Sequence, residues 1–133
     1  FRRVLFRSKL AVLEDEIAAR NRIARRYSDA LADVCEVPEI AAGNISAWAQ
    51  YTILIEERER VAKALDAAGI PTAIYYPIPV HRQDGYRHFP AAKGGLPVSE
   101  ELAGLVLSLP MHPYLEPADQ DRVIAAVRQA AAG

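Results

Sequence analysis

The sequence predicts an α+β fold: a small three-stranded antiparallel sheet of split βαβ type, helices on one face of it, and a long N-terminal connecting helix. Three observations carry that prediction. A helix-period stripe runs through residues 9–32. Three short segments rich in β-branched and aromatic residues come after it. A helical pattern joins the first two of those segments.

The first helix is read from Leu10, Leu13, Ile17, Ala24, Tyr27 and Leu31, which recur at spacings of three, four and seven and so share one face. Acidic Glu14, Asp15 and Glu16 precede basic Arg20, Arg22, Arg25 and Arg26, the order the helix dipole favours. At ~1.5 Å per residue such a helix exceeds roughly 30 Å, a length that suits a spine joining two domains. Residues 1–8, FRRVLFRS, fit the stripe poorly and read as a possible non-native junction. The expected division is therefore a junction at 1–8, a connecting helix at 9–33 and a small domain at 34–133, the whole being a piece of a longer protein.

Val34 to Ile40 contains Pro38 and reads as an edge-like extended segment. Gly43-Asn44 marks a turn. Ala49, Tyr51, Ile53 and Ile55 then alternate with their neighbours as a strand at 50–55. Glu57 to Ala68 is helical, with Val61, Leu65 and Ala68 inward, and Gly69 supplies its left-handed end. Thr72 to Tyr76 is the second strand. Ser99 is expected to cap a short helix with Leu102 and Leu105 inward. Val106 to Leu109 is the third strand, stopped by Pro110, and Pro117 opens a last helix with Val123, Ile124 and Val127 inward. A right-handed crossover through 57–68 makes the first two strands parallel. The third then sits between them, antiparallel to both.

Composition narrows the function classes. The 133 residues are 51% hydrophobic and 25% charged, with net charge -1. That is a globular balance with no basic field for nucleic acid or an anionic membrane. No apolar run approaches the roughly 20 residues of a membrane span. Cys35 is the only cysteine, so no intrachain disulfide forms, and a reducing, cytoplasmic setting is expected. His81, His88 and His112 match no familiar metal-ligand spacing, and Gly94-Gly95 is followed by Leu96-Pro97, unlike a phosphate loop.

The stretch 69–86, GIPTAIYYPIPVHRQDGY, concentrates the chemistry. Pro77 and Pro79 end the second strand and stiffen the loop after it. Tyr75, Tyr76, His81, Arg82 and Tyr86 thus sit just beyond a strand end, where functional loops on a rigid scaffold are found.

Four segments stand in an order that resembles a known family: SAWAQYT at 46–52, GIPTAIYYPIPVH at 69–81, LPVSE at 96–100 and LSLPMHP at 107–113. From about Lys9 to Ala131 the chain is similar to the C-terminal small domain of the DegT-type sugar-nucleotide aminotransferases, pyridoxal-phosphate enzymes of the aspartate-aminotransferase fold. The resemblance implies a transamination in which glutamate gives its amino group to a nucleotide-linked keto-sugar, in a homodimer. It also implies that the cofactor is bound mainly by a large domain, where the reactive lysine lies; Lys9, Lys63 and Lys93 do not occupy its place. Tyr75, Tyr76 and His81 are the implied substrate-binding residues, with no catalytic residue in this chain. Many relatives carry histidine where Tyr75 stands. Tyrosine hydroxyls suit sugar hydroxyls, and a histidine can donate to a carboxylate or phosphate. Two alternatives remain open: a pyridoxamine-dependent sugar dehydratase of the same family, and a stand-alone ferredoxin-like ligand-binding module.

Overall fold

The chain is described by a computed structural model over residues 2–133, with residues 2–6 given by their backbone alone; Phe1, and with it part of the expected junction at 1–8, lies outside the described residues. Helix α1 spans Arg2–Leu31, strand β1 Tyr51–Leu54 and helix α2 Arg58–Ala67. Helix α3 (Pro97–Leu105), strand β2 (Val106–Leu109) and helix α4 (Pro117–Ala132) complete the order, with a 3-10 turn at Val80–Arg82 in the long loop between α2 and α3.

The sheet has two strands, not three. β1 and β2 pair antiparallel in the register Tyr51↔Leu109, Thr52↔Ser108, Ile53↔Leu107 and Leu54↔Val106. The expected strand at Thr72–Tyr76 shrinks to a single bridge, in which Ala73 and Ser108 exchange both backbone hydrogen bonds at 3.1 and 2.8 Å. The predicted spatial order survives in that bridge: β2 lies between β1 and Ala73, antiparallel to each. The segment stops there because Tyr76 turns into the left-handed region, at φ 59, and Pro77 next to it has no N–H to donate. On the outer side Glu36 bridges Leu54, so the edge-like segment after α1 does lie along the sheet.

Period-two alternation puts Tyr51, Ile53, Leu107 and Leu109 on one face, and all four are buried. Val61 and Leu65 of α2, and Val123 and Val127 of α4, close over that core. Burying each such aliphatic side chain contributes roughly 1.5–3 kcal/mol. On the other face Thr52 and Ser108 join hydroxyls at 2.7 Å. Gly69, at φ 71, ends α2 as expected and lets Ile70 donate back to the Leu65 carbonyl at 2.9 Å. Ile70, not Ala68, is therefore the buried residue at that end; Ala68 is exposed.

Helix α1 splits along its length. Ile23, Ala24, Tyr27 and Leu31 are buried, whereas Leu10, Val12 and Leu13 are 50, 39 and 40% exposed. The stripe is continuous in sequence, but the core meets only its C-terminal half. Asn21 marks the junction between the halves. Its Nδ2 donates to the Ser46 carbonyl at 2.9 Å, and its Oδ1 accepts from Trp48 Nε1 at 3.0 Å. Among the described residues no helix is long and apolar enough to cross a membrane.

Candidate functional site

The loop between the Ala73 bridge and α3 is ordered by its own turns. Arg82 N–H donates to the Pro79 carbonyl at 2.8 Å, and Gln83 Nε2 returns to the Ile78 carbonyl at 3.0 Å. Tyr86 and Arg87 both donate backbone N–H groups to the Gln83 carbonyl at 2.9 Å. Prolines alone do not stiffen this segment; Gln83 acts as its hub.

These turns bring Tyr75, Tyr76 and His81 to one groove of about 600 Å³. Tyr86 and Phe89 from later in the loop line it too, with Leu102 of α3. The groove falls within the size range of small-molecule sites, which is roughly 300–1,000 Å³, and its lining is mainly aromatic and aliphatic. Leu102 was expected inward; it is 38% exposed because its side of α3 faces this groove and not the core. Leu105, at the end of α3, is only half-buried. The helix itself opens at Pro97 with Leu96 as its cap residue, so Ser99 lies inside the first turn and does not cap it. Proline at N1 leaves no orphan N–H there.

Tyr76 is the most exposed of the three, at 77%, and holds a left-handed backbone that non-glycine residues adopt at a cost of order 1–3 kcal/mol. Tyr75 also borders a second, smaller hollow beside Ala73 and Met111.

His81 is held from outside the groove. Its Nε2 lies 2.9 Å from Glu100 Oε1 in the first turn of α3. Arg82 grips the same carboxylate with two nitrogens, Nε at 3.1 Å to Oε1 and Nη2 at 2.8 Å to Oε2. The Arg82 guanidinium first, then His81, hold the Glu100 carboxyl down at about 2. Glu100 was legible only as a first-turn acid. Its partners are 18 and 19 residues away, a separation across which no periodicity speaks.

The other histidines are elsewhere. His88 lies against the Phe89 ring, centroids 4.3 Å apart, and His112 sits in the loop before α4, its carbonyl accepting from Leu115 N–H. Among the described residues no group of three or more His, Cys, Asp or Glu is placed to hold a metal ion. Cys35 is half-buried under the sheet edge, where burial pushes its thiol up to about 11, with Asp33 adding to the rise.

Fold and groove together define an α+β module that presents a ligand-sized aromatic groove beside a short sheet. The sequence pattern of the DegT/DnrJ/EryC1/StrS aminotransferase family matches residues 4–128, and the chain belongs to that family. It is 43% identical over 120 residues to the UDP-2-acetamido-2-deoxy-3-oxo-D-glucuronate aminotransferase of Pseudomonas aeruginosa, covering 90% of this chain and 33% of that protein. A DegT DnrJ EryC1 StrS aminotransferase from Brucella abortus superposes with a TM-score of 0.89 at 58% identity, over 92% of this chain and 33% of the other. DesV of S. venezuelae, solved in complex with a ketimine intermediate, superposes at 0.90 with 36% identity, over 96% of this chain and 35% of its own. The chain thus spans about a third of the length of the relatives it matches.

Enzymes of this family depend on pyridoxal phosphate. Among the described residues, those lining the groove do not fit that group. Lys9, Lys63 and Lys93 are exposed on α1, on α2 and in the loop before α3, and none lines the groove. The carboxylate nearest the groove, Glu100, is already committed to Arg82 and His81.

Proposed function

We propose that this chain is the substrate-side part of a sugar-nucleotide aminotransferase, one that moves an amino group from glutamate to a nucleotide-linked keto-sugar. Glutamate leaves as 2-oxoglutarate, and the sugar carbonyl carbon becomes an amine-bearing carbon. Residues 34–133 form the small domain, and residues 9–33 form the helix that connects it to a larger domain carrying pyridoxal phosphate. The complete enzyme is a homodimer. The exposed Leu10, Val12 and Leu13 on the first half of α1 support that division, since a patch of this kind is ordinarily covered by another surface.

The observation that carries the reading is the convergence of Tyr75, Tyr76 and His81 on one groove, in a chain of this family. The tyrosine hydroxyls hydrogen-bond sugar hydroxyls, their rings pack on the apolar faces of the sugar, and His81 contacts a polar substituent. The substrate named for the relative from Pseudomonas aeruginosa, a UDP-linked 3-oxo sugar acid, is the one to try first. In steady-state assays of the complete enzyme, kcat/KM for that sugar and kcat/KM for glutamate report separately on the two substrates. His81→Ala is expected to lower the first and spare the second. Equal loss of both, or loss of neither, overturns the assignment of the groove to the sugar nucleotide.

A further inference from the structure

We infer that Glu100 is a positioning residue for substrate recognition: its carboxylate straps the loop at 74–95 to α3 and so sets how far the groove stands open. The inference deepens the proposed function and rests on it for what the groove binds. The groove has walls of two origins. The loop supplies Tyr75, Tyr76, His81 and Phe89, and α3 supplies Ser99 and Leu102. Helix α3 is anchored independently, because it runs straight into β2, which pairs with β1. The loop is not. Once Ala73 has paired with Ser108, the backbone hydrogen bonds that follow are turns within the loop: Arg82 to Pro79, Gln83 to Val80, Tyr86 and Arg87 to Gln83, Phe89 to Tyr86, Gly95 to Ala92. Gln83 Nε2 to the Ile78 carbonyl and Arg87 to Asp84 are internal as well. Such turns fix the shape of the loop and leave its place against α3 open.

Among the described residues, the hydrogen bonds that cross from this loop to α3 all end on the Glu100 carboxylate. Glu100 follows Ser99 in the first turn of α3, and its partner His81 is itself a wall residue, so the strap joins the two walls directly. Arg82 Nε and Nη2 spread over both carboxylate oxygens, a two-point grip that fixes orientation as well as distance. The strap needs only an N–H on His81 Nε2, which the doubly protonated ring and one neutral tautomer both supply. With the strap released, the loop samples wider openings and a ligand must select the closed fraction. The apparent dissociation constant then rises in inverse proportion to that fraction. Chemistry at a reactive group elsewhere is untouched, so the cost falls on KM and not on kcat.

The test uses the complete enzyme in two measurements: amide hydrogen exchange over residues 80–92, and steady-state rates on the UDP-linked 3-oxo sugar. Glu100→Ala is expected to speed exchange in that segment and to raise KM for the sugar roughly two- to tenfold at nearly unchanged kcat, the scale of a solvent-exposed ion pair with good geometry. Arg82→Ala leaves the His81 contact in place and is expected to cost less. In a Glu100→Ala background it is expected to add nothing, because both changes cut the same strap. A variant that merely misfolds lowers kcat for both substrates instead. Unchanged exchange in Glu100→Ala overturns the inference, as does an Arg82→Ala effect on KM that is as large without Glu100 as with it. If exchange quickens while Glu100→Ala and His81→Ala both leave the sugar reaction untouched, the strap stands and the assignment of the groove to the sugar nucleotide fails. If His81→Ala slows the sugar reaction and Glu100→Ala leaves KM unchanged, only the role of Glu100 is overturned.

Discussion

Tyr27 of α1 and Tyr51 of β1 stand with ring centroids 5.1 Å apart at a tilt of 37°, both sealed from solvent. Each hydroxyl reaches across to another element. Tyr27 donates to the Pro110 carbonyl beyond β2 at 3.1 Å, and Tyr51 meets Ser28 Oγ of α1 at 2.8 Å. The long helix is thereby fastened to both strands at one point, and burial pushes the ionisation of both phenols up, so both stay protonated more firmly than a free tyrosine.

That fastening sets the first prediction. Tyr27→Ala should destabilise the fold by about 3–5 kcal/mol, the cost of emptying a buried aromatic site. Tyr27→Phe keeps the ring but leaves the Pro110 carbonyl without its donor, and should cost about 1–3 kcal/mol. Urea unfolding followed by Trp48 fluorescence measures both. A loss under about 1 kcal/mol for the alanine variant would show that the helix is not held there.

The acid limb of stability should carry the mark of Glu100. Arg82 and His81 lower its carboxyl from 4.5 to about 2, so its folded value lies below its unfolded one. The ionised form is the one the fold favours. Its contribution is full above about pH 4.5 and is lost as pH falls toward about 2. The melting-temperature gap between the wild type and Glu100→Gln should be small, at its full width above about pH 4.5, and nearly closed as pH falls to about 2. A gap that widens with acid would contradict the ion pair.

Much of the architecture was legible because it rests on local pattern. Val106–Leu109 and the last helix from Pro117 stand where periodicity and proline placed them. The antiparallel order around β2 followed from the right-handed crossover through 57–68. What sequence pattern missed is non-local or competitive. Thr72 to Tyr76 has strand composition, yet the turn at Tyr76 and the two prolines cut the pairing to Ala73. Leu102 has core composition, yet it lines the groove. Of the groove, Tyr75, Tyr76 and His81 were visible as side chains beyond a strand end. Phe89 was not, because nothing in its own neighbourhood marks it, and the tie from Glu100 to His81 and Arg82 spans a separation that no periodicity reads.

Cys35 should behave as a shielded thiol. It is half-buried, its Sγ lies 3.5 Å from the Leu31 carbonyl, and desolvation first, then the nearby Asp33, push its ionisation up to about 11. The thiolate is the reactive form, so alkylation by iodoacetamide at pH 8 should be well slower than for free cysteine, whose pKa is about 8.5. The rate should climb steeply as pH approaches about 11. Fast labelling at pH 8 would mean that the segment after α1 opens away from the sheet edge.

Tyr76 allows binding to be separated from stability. Its φ of 59 is a conformation that glycine adopts freely and tyrosine does not. Its side chain is 77% exposed, so truncation removes little packing. Tyr76→Gly should therefore leave the melting temperature of the complete enzyme unchanged or raise it, the relief being of order 1 kcal/mol against a somewhat larger unfolded-state entropy. If the ring and hydroxyl contact the sugar nucleotide, the same variant should lower kcat/KM for the UDP-linked sugar while sparing glutamate. Tyr76→Phe keeps the ring and loses only the hydroxyl, so it should fall between, at roughly two- to tenfold for one hydrogen bond. Together the two variants divide the contribution of the aromatic face from that of the phenol. A glycine variant that is stable and fully active on the sugar would leave Tyr76 without a part in recognition. One that loses stability instead would show that the left-handed turn is held by contacts of the ring and is not strained at all.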